Sequence, residues 1–426
     1  MASTNSIKTA IIEREEEFKE KAKRENFIER ELKIDTITTD VVSIITGIRR
    51  CGKSILAFLL TKDKNAAYVN FEDERLQLKA KELNSVLKAI YEVKGDVDFI
   101  VFDEIQNIEG WEKFIARIIL NKKIIITGSN ARLLSKELAT YLTGRHIDYE
   151  LFPFSFREYL RFGKFEPNIY LTKDVAKTKS FLEDYIEQGG FPLVYRIGIK
   201  FVIENYKDIV ERDIIQRYNV KYGKMLKDIA RYLISNSGNL ISFNRISKIF
   251  EISVDTIREY SAYFVNAYLL FFLNKFDYKL KEQEKSPKKV YCIDTGIINA
   301  FGFKVSQNMG KLMENLVAIE LFRRKSYFNK GLEIFYFKDY QQHEVDFLIK
   351  EGLKVKQLIQ VTYANSFDEI EHREIRALLK AKEIFKEDNP ELLIITWDYE
   401  DEKELCWFGR SGKIKFVPLW KWLLNL

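Results

Sequence analysis

The chain has 426 residues, 46% of them hydrophobic and 31% charged, with few glycines and prolines. That length exceeds one ordinary core and predicts two to four domains, and the composition excludes a largely disordered, collagenous or disulfide-stapled chain. The net charge of +6 is small for such a length, so it permits nucleic-acid contact at a local patch without demanding it.

The first thirty residues are charged from Glu13 to Arg24, which is unlike a secretory leader. No apolar run reaches the roughly 18 residues of a spanning helix. The cysteines, Cys51, Cys292 and Cys406, lie far apart and form no zinc spacing. A reduced cytoplasm is the expected compartment. The abundance of Lys, Glu, Ile, Phe and Tyr would suit a thermophile.

An apolar run, Val41 to Ile45, leads into Gly47-Ile48-Arg49-Arg50-Cys51-Gly52-Lys53-Ser54, and an apolar periodic segment follows from Ile55 to Leu60. This is strand, glycine loop, helix, and it fits G-x-x-x-x-G-K-[ST] at every fixed position. Backbone N–H groups of such a loop wrap phosphate oxygens, and the helix N-terminus adds partial positive charge. Residues 47 to 54 are therefore read as the nucleotide-binding loop, with Lys53 reaching the β- and γ-phosphates of ATP and Ser54 ligating Mg²⁺.

Ala67 to Phe71 predicts a second strand, followed by a charged helix from about Glu72 to Tyr91. Val97 to Glu104 is an apolar strand ending in two carboxylates, the form of a Walker B element. Asp103 would orient Mg²⁺ and Glu104 would polarise the attacking water; the alternative is a strand leaving the sheet into an acidic loop. Lys123 to Thr127 predicts a fourth strand ending at Gly128-Ser129-Asn130. Asn130 or Ser129 could sense the γ-phosphate there, or cap a helix starting at Ala131. Arg145, after a helix and before the strand-like run Ile147 to Phe152, is the candidate arginine finger; a dipole contact at a helix end is the other reading. Alternating strands and helices imply a parallel sheet with its ligand at the strands' carboxyl ends.

GIRRCGKS, DEIQNIEGWEKFI, ITGSNARLLSKELATYLTGR and LFPFSFREYL, in this order, resemble the archaeal and bacterial AAA-type ATPases that carry a DUF4143 C-terminal region. IEQGGFPLVY, ERDIIQRYNV and CIDTGIINA extend the resemblance downstream. It implies an α/β multidomain chain that hydrolyses ATP, with an AAA-type core over residues 1–155 and a helical lid over 156–225. It leaves the biological task open.

Phe181 to Ile186 runs into the stop signal Gly189-Gly190-Phe191-Pro192, and Asp208 to Tyr218 predicts an amphipathic helix. From Leu226 a helix, a tight turn at Glu251-Ile252-Ser253 and a longer helix from Val254 give helix-turn-helix spacing, with Ser253 as N-cap. The strands Tyr268 to Phe272 and Val290 to Ile293 enclose a lysine-rich tip, so residues 226–293 read as a winged helix. On a DNA reading, Thr256 and Arg258 approach a groove while Lys285, Lys288 and Lys289 contact phosphate. The aromatic content of the second helix (Tyr260, Tyr263, Phe264) points instead to packing.

Residues 294–426 predict a helix carrying Glu314 and Glu320, strands at 333–338, 345–350, 356–363 and 392–397, and a charged helix over about 368–385. Glu314 on a helix with Asp346 on a strand resembles the PD-(D/E)xK nuclease core, where acidic residues hold a divalent metal and a lysine positions water. The chain departs from that pattern at Gln360-Val361-Thr362, where E-x-K is expected. Gln360 is a poorer ligand than a carboxylate, and Thr362 lacks the lysine's charge. Glu314, Asp346 and Gln360 form the expected second metal site, with Lys354 or Lys356 as substitute lysines and His343 as a strand-edge residue. The leading expectation is an ATP-hydrolysing switch or motor with a degenerate nuclease-like domain that does not cut, with DNA as partner, in a possible homo-oligomer. An ATP-regulated nuclease and a protein-binding signalling or scaffolding ATPase are the alternatives.

Overall fold

The computed structural model describes residues 4–25, 27–34, 37–130, 141–302 and 309–425. The chain folds into two compact units, residues 1–153 with 266–268, and residues 154–265 with 269–426.

The first unit is built on five parallel strands: β1 (Val42–Thr46), β2 (Ala66–Asn70), β3 (Phe99–Asp103), β4 (Lys123–Gly128) and β5 (His146–Glu150). Their order is β2-β3-β4-β1-β5. Strands β1 and β3 are buried along their whole length, as expected for a parallel sheet covered on both faces. The pairs Ile44–Ile126 and Phe102–Ile126 align the three central strands, so that their carboxyl ends finish together. Ile7, Ala10, Ile11 and Phe18, spaced for one helical face, bury the helix Thr4–Arg24. Phe18 stacks on Phe58 at 5.0 Å and meets Tyr68 edge-on at 4.8 Å. The sequence reading saw only a charged stretch there.

The helix expected over about Glu72 to Tyr91 is shorter, Leu83–Lys94. Asp73 accepts from Arg75 N–H and turns the chain through a short 3₁₀ segment instead. The Glu82 carboxylate then accepts from Lys79 N–H just before the helix opens. A side chain that satisfies the backbone locally competes with a continuous helix.

In the second unit, helices Phe156–Phe162, Thr172–Gln188 and Ile199–Asp208 precede a π-helical stretch, Ile209–Gln216. The helical segment over 156–225, expected as a lid on the nucleotide core, thus folds into the second unit. Helix Gly223–Ser235, strand β6 (Leu240–Ile241), helices Phe243–Phe250 and Val254–Asn266, strand β7 (Leu270–Leu273) and strand β8 (Lys288–Cys292) follow. The three strands are antiparallel in the order β6-β8-β7. Ser253 Oγ accepts from Thr256 N–H at 3.0 Å, the expected cap. The lysine-rich tip is partly ordered as a short helix, Leu280–Lys285.

Helix Met309–Tyr327 leads to a six-stranded mixed sheet: β9 (Leu332–Lys338), β10 (Glu344–Glu351), β11 (Lys354–Val361), β12 (Glu391–Thr396), β13 (Asp401–Trp407) and β14 (Arg410–Pro418). The order is β13-β14-β12-β11-β10-β9. Strand β11 runs antiparallel to β10 and parallel to β12, and helix His372–Ile384 connects β11 to β12. The sequence located β9 to β12 but not the hairpin β13–β14. Among the described residues, no helix is long and apolar enough to cross a membrane.

Two of the downstream motifs meet at one carboxylate. Asp294, buried, accepts from Gly190 N–H at 2.6 Å and from Ile297 N–H at 3.3 Å. A Cβ at Gly189 would stand 2.0 Å from Asp294 Oδ1, so the close approach requires glycine. Burial raises the Asp294 carboxyl to about 7, against the pull of those N–H donors. The native chain therefore keeps a proton that the unfolded chain releases, and stability falls as pH rises from about 4 to about 7. Asp294→Asn is expected to reduce that slope in chemical-denaturation midpoints measured across pH 4–8. Glu374, which burial also raises to about 7, supplies a remaining slope of the same sign.

Candidate functional site

The turn after β1 needs backbone that only glycine adopts without strain. Gly47 has φ 140° and Gly52 φ 107°, and a Cβ at Gly47 would fall 2.2 Å from the Leu151 carbonyl oxygen. Arg30, buried, holds the loop from outside: Nη1 donates to Cys51 O at 2.9 Å and Nη2 to Phe152 O at 2.7 Å. Cys51, also buried, turns its thiol to Leu151 O at 3.3 Å. Burial pushes that thiol up, so it is a packing group rather than a nucleophile.

Helix Lys53–Thr61 begins on the loop's last glycine. Lys53 is buried, and its Nζ donates to Gly47 O and Ile48 O, each at 3.1 Å. The same ammonium lies 3.9 Å from Glu104 Oε1. Ser54 Oγ donates to Asp103 Oδ1 at 3.0 Å, which brings the glycine loop and the end of β3 into contact. Asp103 receives two more donors, Tyr68 OH to Oδ2 at 2.5 Å and Thr127 Oγ1 to Oδ1. Burial, then the charge of Glu104, pushes the Asp103 carboxyl above the ordinary range, and these three hydroxyls pull it back. A hydroxyl beside a carboxylate is the hard oxygen pair that suits Mg²⁺, and the loop's open backbone suits phosphate, so the residues fit a magnesium-nucleotide ligand.

Glu104 sits at φ 53°, in left-handed backbone, with its N–H donating to Thr127 O at 3.1 Å. Gln106 Nε2 donates to Glu104 Oε2. Arg49 pairs with Glu72 at 3.4 Å, and burial together with Glu104 raises the Glu72 carboxyl.

Of the expected residues, Gly47 to Ser54, Asp103 and Glu104 come together. Ser129 and Asn130 are buried at the end of β4, and among the described residues the Ser129 hydroxyl has no hydrogen-bond partner. The helix that Asn130 was to cap, from Ala131, lies outside the described residues. The Arg145 backbone lies at the amino end of β1. Its carbonyl accepts from Val42 N–H at 2.9 Å, at the start of β1, whereas the glycine loop leaves the far end of that strand. Five residues at about 3.3 Å each separate them, roughly 16 Å. That is the separation along the backbone between Arg145, the candidate finger, and the glycine loop of the same chain. The sequence reading missed Tyr68, Thr127 and Arg30. Thr127 was legible in principle, as the polar end of the strand paired with Asp103.

The second expected site is occupied differently. Lys289, placed among the phosphate-contacting wing lysines, is fully buried with its Nζ 2.9 Å from Glu314, 2.9 Å from Glu344 and 2.7 Å from Asp346. Its neighbour Lys288 is half-buried, bonded to Asn274 Oδ1 at 2.7 Å and Glu284 at 3.3 Å, and Lys285 is exposed. Gln360, expected as a ligand, uses its carbonyl oxygen to accept from Asp346 N–H at 2.6 Å. Its amide donates to Glu374 and to Glu344 O. Glu320 stands apart from this cluster in a second one with Arg157, Arg323 and Arg324. His343 is, as expected, a strand-edge group, paired with Asp339. Among the described residues, no group of three or more His, Cys, Asp or Glu side chains is arranged to hold a metal ion.

Residues 39–160 match the model of an AAA domain, residues 179–308 a domain of unknown function, DUF8612, and residues 309–420 the domain of unknown function DUF4143. The chain is 38% identical over 423 residues to the uncharacterized protein MJ1544 of Methanocaldococcus jannaschii, covering 95% of this chain and 92% of that one. It is 30% identical over 423 residues to an uncharacterized protein of Haemophilus influenzae, covering 94% and 98%. Among solved structures, the replication initiator DnaA bound to AMPPCP and single-stranded DNA aligns at 16% identity, over 58% of this chain and 85% of that one, with a TM-score of 0.24. A signal-transduction ATPase with numerous domains from Pyrococcus horikoshii aligns at 14% identity over 71% and 48%, also at 0.24. Superpositions that loose carry no weight for function.

Proposed function

The chain belongs to the family of AAA-type P-loop ATPases that carry a DUF4143 region, and from that premise we propose that it is a Mg²⁺-dependent ATP-hydrolysing switch whose second unit engages DNA. The observation that carries the nucleotide half is the 3.0 Å contact of Ser54 with Asp103 beside a buried Lys53. Ser54 and Asp103 would hold Mg²⁺, which supplies charge neutralisation on the phosphates when bound. Lys53 exchanges its loop carbonyls for phosphate oxygen, Glu104 accepts a proton from the attacking water, and Asn130 orients that water. Arg145 would be the arginine finger that stabilises charge on the transferring phosphoryl group.

The DNA half rests on the helix-turn-helix spacing with its antiparallel strands, and on exposed Lys285 and Arg258 with half-buried Lys288 and Thr256. A protein partner is the second reading, and one observation favours it. Arg258 pairs with Asp255 at 3.1 Å, and Glu259 is exposed beside it, so this helix is not a positive surface. Phosphate release from ATP, measured with Mg²⁺ and with or without duplex DNA, tests both halves. No nucleotide binding and no hydrolysis under either condition ends the ATPase reading. Salt-insensitive DNA retention, or none at physiological ionic strength, moves the partner from DNA to protein.

Tyr68 acts through Asp103 and is a positioning residue. Tyr68→Phe removes one donor from the carboxylate that would orient Mg²⁺. The Mg²⁺ concentration for half-maximal hydrolysis is expected to rise roughly tenfold, with the fold intact by circular dichroism.

A further inference from the structure

The nuclease-like resemblance implies a divalent metal between Glu314 and Asp346, and the residues present do not fit one. Every oxygen of the three carboxylates is engaged within the protein. Glu314 Oε1 accepts from Lys289 and from Tyr291 OH at 2.8 Å, and its Oε2 from Lys311 at 2.7 Å. Glu344 gives one oxygen to Lys289 and the other to Lys338 at 3.2 Å. Asp346 gives Oδ1 to Lys289 and Oδ2 to Val361 N–H at 3.0 Å. Three carboxylates thus meet three ammonium groups, Lys289, Lys311 and Lys338. An ammonium has three N–H donors, and Lys289 finds one carboxylate for each.

We propose that Lys289 is the resident cation of this pocket, standing where a divalent metal would stand and excluding it. A lone ammonium could not remain buried, because taking a charge out of water costs several kcal/mol. Here burial works against the charge, and Asp346 and Glu314 more than offset it, holding the ammonium well above its usual range. Lys289 arrives on β8, outside the six-stranded sheet, and Leu240 and Leu273 pair on either side of it. The ion cluster therefore fastens the β6-β8-β7 hairpin to helix Met309–Tyr327 and strand β10. A metal would make the same junction dependent on supply; an ammonium makes it permanent. The pocket is a structural joint, and the domain does not cut DNA through it.

The test uses Mn²⁺ as probe on the full-length chain without nucleotide, with bound ion counted by electron paramagnetic resonance. The wild type is expected to show no Mn²⁺ site that Asp346→Asn removes, and no Mn²⁺-dependent plasmid cleavage that this variant abolishes. Lys289→Met keeps the alkyl stem, frees one oxygen on Glu344 and one on Asp346, and leaves Glu314 Oε1 with Tyr291 OH alone. It is expected to gain a site at least tenfold tighter than any in the wild type, and the gain disappears in Lys289→Met/Asp346→Asn. An Asp346-dependent Mn²⁺ site or cleavage in the wild type overturns the proposal, as does a folded Lys289→Met chain that gains none. Should Lys289→Met not fold, the wild-type and Asp346→Asn pair decides alone. Neither arm depends on ATP hydrolysis, so failure here leaves the ATPase reading standing, and the reverse.

Discussion

Lys53→Ala is expected to lower Mg²⁺-dependent ATP hydrolysis by about a hundred- to a thousandfold, the loss that follows removal of one preorganised donor to a transition-state oxygen. Lys53 is committed to this site by its surroundings. It is buried, bonded to Gly47 O and Ile48 O, and 3.9 Å from Glu104. Those carbonyls hold the ammonium at the loop, where phosphate oxygens would displace them. The substitution also removes the ammonium that lies 3.9 Å from Glu104, so some loss of stability accompanies it. The two effects separate by thermal melting. Mg²⁺-ATP should raise the wild-type melting temperature and leave that of Lys53→Ala unchanged, because ligand stabilisation scales with binding. A variant that is stabilised by ATP and still hydrolyses it near the wild-type rate would remove Lys53 from the mechanism.

Glu320→Gln is expected to destabilise the second unit by about 3–5 kcal/mol, the usual result of removing one member of a buried ionic group. Glu320 and Arg323 are each about 1% exposed, and Glu320 also receives Arg157 Nη2 at 2.9 Å and Arg324 Nε at 3.0 Å. Without the carboxylate, three guanidinium groups lose the counter-charge they share, and the charge of Glu158 still acts on Arg323. Arg157 and Arg324 also hold the last helix, Leu419–Leu424, through Leu423 O and Trp422 O. The loss should therefore reach the C-terminus, and amide exchange in residues 419–424 should accelerate. A urea midpoint that falls at constant m-value is the measurement. An unchanged midpoint would show that the arginines find water or other acceptors.

The glycine loop and the Walker B strand were legible because each is a local pattern: spacing fixes the glycines, and an apolar run fixes β3. The parallel sheet followed from alternation. Partners far apart in sequence were not legible. Lys288 and Lys289 are adjacent in a run that reads as a basic tip, yet at the start of β8 the first is half-buried and the second fully buried. Nothing near position 289 announces Glu314, Glu344 or Asp346. The backbone separation of Arg145 from the loop was not legible either, since it depends on which end of β5 pairs with β1. The helix expected from Glu72 failed locally, on the Asp73 side chain.

Arg30 has a consequence for how fast and at what entropic cost a nucleotide would arrive. Its guanidinium ties Cys51 O to Phe152 O and is itself buried. The loop's backbone is thus pinned by protein bonds rather than left to be shaped by the ligand. A loop already ordered loses little conformational freedom on capture. Association would then proceed as docking into a rigid cradle, and the rate of release, rather than of loop closure, would set how long each nucleotide stays.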